Sequence, residues 1–133
     1  VTGARLRPRP ALCALWVGNG TFTVVWGLWL LAPWWTVLTR ADIYQAMEDF
    51  MPEWGWGVNA VLAGTAQVYG VLERSRRGLV WGTVAGVYHW GVISLLYLIS
   101  DWANTGWLVS AWLALSVLLL WWAWERLERE EAS

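Results

Sequence analysis

The chain contains no lysine, one cysteine and one histidine in 133 residues, and Asp, Glu, Lys and Arg together make up only 14% of it. Each scarcity excludes something. Cys13 has no partner for an internal disulfide, and at the start of an apolar run it reads as a small hydrophobe. His89, alone, leaves a haem without a second histidine as axial ligand. Nine arginines against ten acids, with a net charge of −1, provide no basic stripe for nucleic acid. The use of arginine for every basic residue reads as a habit of a GC-rich genome rather than as chemistry. No Ser/His/Asp set, no metal-spaced cluster and no phosphate loop occurs, so no catalytic or metal-ligating residues are expected. Glu48, Asp49 and Glu53 resemble paired carboxylates but read more simply as a solvated face. The charged fraction lies well below the ~25% usual in soluble domains, so most of the chain is not built to face water.

What the chain has instead is apolar surface. Hydrophobic residues make up 58% of it, and 15 residues are tryptophan. Residues 78–100 run 23 positions without Asp, Glu, Lys or Arg, enough for a membrane-spanning helix, which needs ~20 residues. Four such runs predict an all-α membrane protein. Its four transmembrane helices fall at about 11–32, 56–72, 79–100 and 107–124, forming a single domain with short cytoplasmic tails at 1–10 and 125–133. The first run is too long for the apolar region of a signal peptide and reads as an uncleaved span.

A different pattern fills about 40–51. Thr39 and Asp42 have capping-box spacing, and Ile43, Met47, Phe50, Met51 and Trp54 follow at i, i+4, i+7, i+8 and i+11. That spacing predicts a short amphipathic helix in the interface plane, stopped by Pro52.

Arginine counts set the orientation. Arg5, Arg7, Arg9, Arg74, Arg76, Arg77, Arg126 and Arg129 fall on one side of the four spans, and only Arg40 on the other. By the positive-inside rule both termini are cytoplasmic. Trp34, Trp35, Trp54, Trp56, Trp102 and Trp107 mark the outer boundary. Trp16, Trp81, Trp121, Trp122 and Trp124 mark the inner one. Trp26, Trp29, Trp90 and Trp112 fall deeper and are expected to pack.

Small residues mark helix contacts. Gly78, Gly82 and Gly86 form a stripe at a spacing of four, and Ala60/Gly64 and Ala66/Gly70 are two small-xxx-small pairs on the preceding span. Either pair suits the glycine stripe, because bare Cα atoms let helices approach closely in lipid. The same stripes suit a homo-oligomer or docking into a larger membrane complex. Polar residues inside a bilayer point to the bundle interior. Asn19, Gln67, His89 and Ser116, one per span, are expected at similar depth as a hydrogen-bonded layer. A proton or ion path is the alternative, disfavoured because the spans contain no acid or arginine. A third reading makes His89 a ligand: Ala85-x-x-x-His89 resembles the small-residue-then-His pattern of bacterial light-harvesting subunits. That resemblance implies chlorophyll, or a haem, at His89; otherwise no cofactor is expected.

One resemblance covers most of the chain, residues 26–127. Pro52-Glu53-Trp54-x-Trp56-Gly57, Gly64-x-x-Gln67, the arginine-rich turn 74–77, Thr105-Gly106 and Trp122-Ala123-Trp124-x-Arg126 occur in an order that resembles small four-helix membrane proteins of tailed phages and prophages. The resemblance implies a bacterial inner-membrane protein, holin-like or acting on the host envelope. That family has no assigned biochemical activity, and His89 is not part of its pattern.

Overall fold

The computed structural model describes residues 10–32, 44–103 and 105–132. Among these residues the regular structure is entirely helical: α1 (Pro10–Leu30), α2 (Gln45–Phe50), α3 (Glu53–Leu72), α4 (Arg76–Ser100) and α5 (Gly106–Ala132). Pro10 opens α1, where a missing N–H costs nothing because first-turn donors have no intrahelical partner. Ser75 opens α4, its Oγ accepting from the Gly78 N–H at 3.0 Å. The turn before it is tight. Arg74 has φ 49°, the left-handed conformation that glycine usually supplies after a helix. Three residues cannot cross a bundle, so α3 and α4 are antiparallel neighbours. At the opposite end Asp101 Oδ1 accepts from the Ala103 N–H at 3.0 Å and begins the turn into α5.

The four long helices alternate in direction, each packed along its sequence neighbour, with α1 and α5 touching more lightly to close the ring. Glycine sets the spacing on both sides of α3. A Cβ on Gly27 would stand 2.7 Å from the Gly57 carbonyl oxygen, and one on Gly20 would stand 2.9 Å from that of Gly64. Seven residues up α1 match seven residues down α3, the register of an antiparallel pair. On the other side of α3, a Cβ on Gly70 would meet the Gly78 carbonyl oxygen at 2.5 Å, and one on Gly82 would meet Ala66 O at 3.0 Å and Gln67 Cα at 2.8 Å. The two small-residue pairs of α3 thus serve different partners: Ala60/Gly64 faces α1 and Ala66/Gly70 faces α4.

Three helices, α1, α4 and α5, are long and apolar enough to cross a membrane. α3, at 20 residues, does not meet that test, so three of the four expected spans do. The reason is its inward face. Four glycines, Asn59 and Gln67 lower its average, and Gly55, Gly57, Gly64, Gly70 and Gln67 are all buried. Its outward stripe, by contrast, is Trp54, Val58, Leu62, Tyr69 and Leu72, interrupted by Thr65.

Of the amphipathic helix expected at 40–51, the described residues contain only its second half, from residue 44 on. α2 has six residues. Met51 is extended (φ −160°, ψ 140°), the shape favoured before proline, so the apolar pattern does not continue through Pro52. Trp54 belongs to α3 and is 65% exposed, Phe50 is 61% exposed, and Met47 alone is fully buried. Ile43 and the Thr39/Asp42 box lie outside the described residues, as do Arg5, Arg7, Arg9, Arg40, Trp34 and Trp35. α4 and α5 are longer than the spans read from sequence, because Arg76–Arg77 join the first turn of α4 and Glu125–Ala132 continue α5.

Two apolar clusters occupy opposite ends of the bundle. Leu30, Met47, Trp56, Trp90, Ile93 and Ala114 form the one beside α2. Trp16, Val71, Leu79 and Trp124 form the one beside the α3–α4 turn. Polar side chains lie between them.

Candidate functional site

His89 sits on α4 midway between its ends and is fully buried. Its Nδ1 is 3.3 Å from Asn59 Oδ1 on α3. With Asn59 Oδ1 as the acceptor, Nδ1 is the donor of this contact. Three indoles surround the ring edge-on: Trp90 at 5.0 Å between centroids, Trp26 at 5.4 Å and Trp56 at 6.5 Å. Two of these indoles are themselves anchored. Trp56 Nε1 donates to the Met47 carbonyl at 2.9 Å, tying α3 to α2. Trp90 Nε1 donates to Thr23 Oγ1 at 3.0 Å, tying α4 to α1.

The hydrogen bonds continue from there. Thr23 Oγ1 donates to Asn19 O at 3.0 Å, one turn back on α1. Asn19 Nδ2 donates to Ser116 Oγ on α5 at 3.0 Å, and Ser116 Oγ donates to Leu113 O at 2.7 Å. Trp90, Thr23, Asn19 and Ser116 therefore link α4, α1 and α5 across the bundle. Each such bond in a bilayer contributes about 0.6 kcal/mol on average, so the network orients helices more than it holds them.

Gln67 stands apart. It is fully buried and neither amide atom has a hydrogen-bond partner. Its side chain fills the space beside Gly86, where a Cβ would stand 2.9 Å from Gln67 Cδ and collide with Nε2. The four residues expected to form one layer are thus split. Asn19 and Ser116 bond to each other, His89 bonds to Asn59, and Gln67 bonds to none of them. Position along a helix fixes depth but not azimuth, and Gln67 points to the glycine side of α4 while Asn19 points to α5.

The deep tryptophans also divide. Trp90 is buried, but Trp29 is 42% and Trp112 63% exposed, while Trp56, expected at the boundary, is 1% exposed and packs against His89. A chlorophyll or haem does not fit at His89. A macrocycle needs an open face over Nε2, and that atom is buried among the three indoles. Among the described residues no group of three or more His, Cys, Asp or Glu is placed to hold a metal ion.

Sequence reasoning missed Thr23 and Asn59 as partners of Trp90 and His89, and Gly20, Gly27 and Gly57 as contact points. The glycines carried a signal: Gly20/Gly27 and Gly57/Gly64 share a spacing of seven. Thr23 and Asn59 carried none beyond being polar in apolar runs.

At the end of the bundle that holds the α3–α4 turn, Arg76 Nη2 pairs with Glu125 Oε1 at 2.8 Å, joining the start of α4 to α5. Arg126 lies over the Trp122 ring at 5.5 Å and pairs with Glu130 at 3.0 Å. These exposed pairs contribute little to stability, about 0–1 kcal/mol each.

An all-α bundle with three helices able to cross a membrane, cross-linked by an internal polar network, is the class this architecture defines. Comparison with protein-family models, with curated proteins and with solved structures finds no match to the chain.

Proposed function

We propose that the protein is a non-enzymatic, four-span integral protein of the bacterial inner membrane, with both termini cytoplasmic, acting as a phage-borne membrane effector of the holin-like kind. The observation that carries the four-span reading is the outward stripe of α3. Its exposed Trp54, Val58, Leu62, Tyr69 and Leu72 suit acyl chains, while its glycines, Asn59 and Gln67 are turned toward α1 and α4. In this reading α2 covers the outer end of the bundle as a short interfacial helix, with Met47 as its anchor. The effector role rests on the phage-like order of motifs and on the bundle's wide apolar exterior. Inducing the gene in a bacterial host should arrest growth and release a co-expressed endolysin. Continued growth with an intact membrane potential removes the effector reading.

A second reading, an accessory subunit of a larger membrane complex, is favoured by one face of α1. Ala11, Ala14, Gly18 and Thr21 are exposed there, and a Cβ on Gly18 would meet nothing within 4 Å. A foreign helix or a second copy could approach that face closely. A stable partner retained in a mild-detergent pull-down supports it, and a lone monodisperse species opposes it.

A further inference from the structure

An apolar groove of about 620 Å³ runs down the outside of the bundle between α3 and α4. Its floor is Ala63, Ala66 and Ala85, and its walls include Leu62, Trp81 and Tyr88, which are 66%, 69% and 56% exposed. Along α3 the groove extends from Pro52 to Ala66, about 21 Å at the helical rise. That exceeds the ~15 Å of one leaflet's hydrocarbon. The groove's α4 wall, Trp81-Ala85-Tyr88, continues the helix face on which Arg77 lies one turn earlier.

Arg77 and Arg74 are both exposed, and no ion pair to either occurs among the described residues. Arg76, between them, is held by Glu125. Glu73 is the carboxylate of the turn, so this turn, which starts one helical turn beyond Trp81 at the end of the groove, retains a net positive charge.

We propose that this groove binds an anionic phospholipid, with one acyl chain lying over Ala85 and Ala66 and the phosphate between Arg74 and Arg77. The charge of the turn beyond the end of the groove selects this occupant over a second copy of the chain. A two-fold contact through the groove would bring the same unpaired arginines of two copies to one level, where they repel. A phosphate there meets two guanidinium donors instead.

The test uses the full chain in mild detergent, stripped of lipid and offered equal amounts of phosphatidylglycerol and phosphatidylcholine. Native mass spectrometry counts what is retained. The wild type should retain phosphatidylglycerol over phosphatidylcholine by a ratio of roughly ten- to thirtyfold, since each of the two arginines near a lipid surface contributes about fivefold. The Arg74→Gln/Arg77→Gln variant should lose the preference while melting as the wild type does without lipid, because both side chains are exposed. Glu73→Gln should sharpen the preference. Ala85→Phe, which fills the groove, should retain less of both lipids. Equal retention by the wild type, or an undiminished preference in the double-arginine variant, overturns the proposal. So does cross-linking of one copy to another through Ala85→Cys, in a Cys13→Ala background, in native membranes, since a second copy then occupies the groove.

Discussion

Gly27 on α1 and Gly57 on α3 face each other so closely that a Cβ on either would stand within 3 Å of the other's carbonyl oxygen. Neither neighbour can move aside, because both are backbone. Gly27→Ala is expected to force the helices apart and to destabilise the protein by about 1–3 kcal/mol, the usual cost of overpacking. Gly18→Ala is the matched control, since its Cβ would meet nothing within 4 Å. It should leave the melting temperature unchanged or raise it, as alanine is the better helix former. Thermal unfolding of both variants in one detergent checks the contrast.

Gln67 provides a prediction of opposite sign. Its buried amide has no hydrogen-bond partner for either atom, and each such group costs about 1–3 kcal/mol of desolvation. Gln67→Met keeps the unbranched shape beside Gly86 and removes that cost. The variant should be at least as stable as the wild type in chemical denaturation. A clear loss would mean that the amide is satisfied in the folded protein.

His89 and Asn59 are expected to be coupled. His89→Leu and Asn59→Leu should each destabilise, because each leaves the other residue without its partner. The double-mutant cycle should recover a coupling of about 0.6–1.7 kcal/mol, the range measured for interhelical hydrogen bonds in bilayers. Additive losses would show that the 3.3 Å contact contributes nothing beyond packing.

The number of spans can be read by reporter fusions. Alkaline phosphatase, active only outside the cytoplasm, should be active when joined after Ala103 and inactive when joined after Ser133. If α3 does not cross, the chain crosses three times and its two ends lie on opposite sides.

The helices were legible in the sequence because long uncharged runs leave few alternatives, and the short links read at 73–77 and 101–106 left sequential neighbours no choice but to be antiparallel. α3 was readable as a helix but not as the most enclosed one, since its low hydropathy reflects glycine and amide groups whose facing depends on the partner. The two small-residue pairs of α3 were visible as alternatives for one stripe. That α1 takes one pair and α4 the other follows only from the crossing of three helices. The polar layer was the least legible part. Asn19, Gln67, His89 and Ser116 have similar depths, but 100° of rotation per residue separates their directions, and no local pattern records which helix stands opposite. Pro52 was recognised as a stop, yet the apolar spacing was carried through it to Trp54. The extended Met51 resets the phase at that point.

The length of α5 has an outcome of its own. At 27 residues it measures about 40 Å, whereas hydrocarbon occupies about 30 Å. In the four-span reading, roughly 10 Å of continuous helix would project past the bilayer as a stiff stem, braced where Arg76 holds Glu125. Cargo fused to this end would ride at a fixed height and turn with the bundle, rather than swing on a tether.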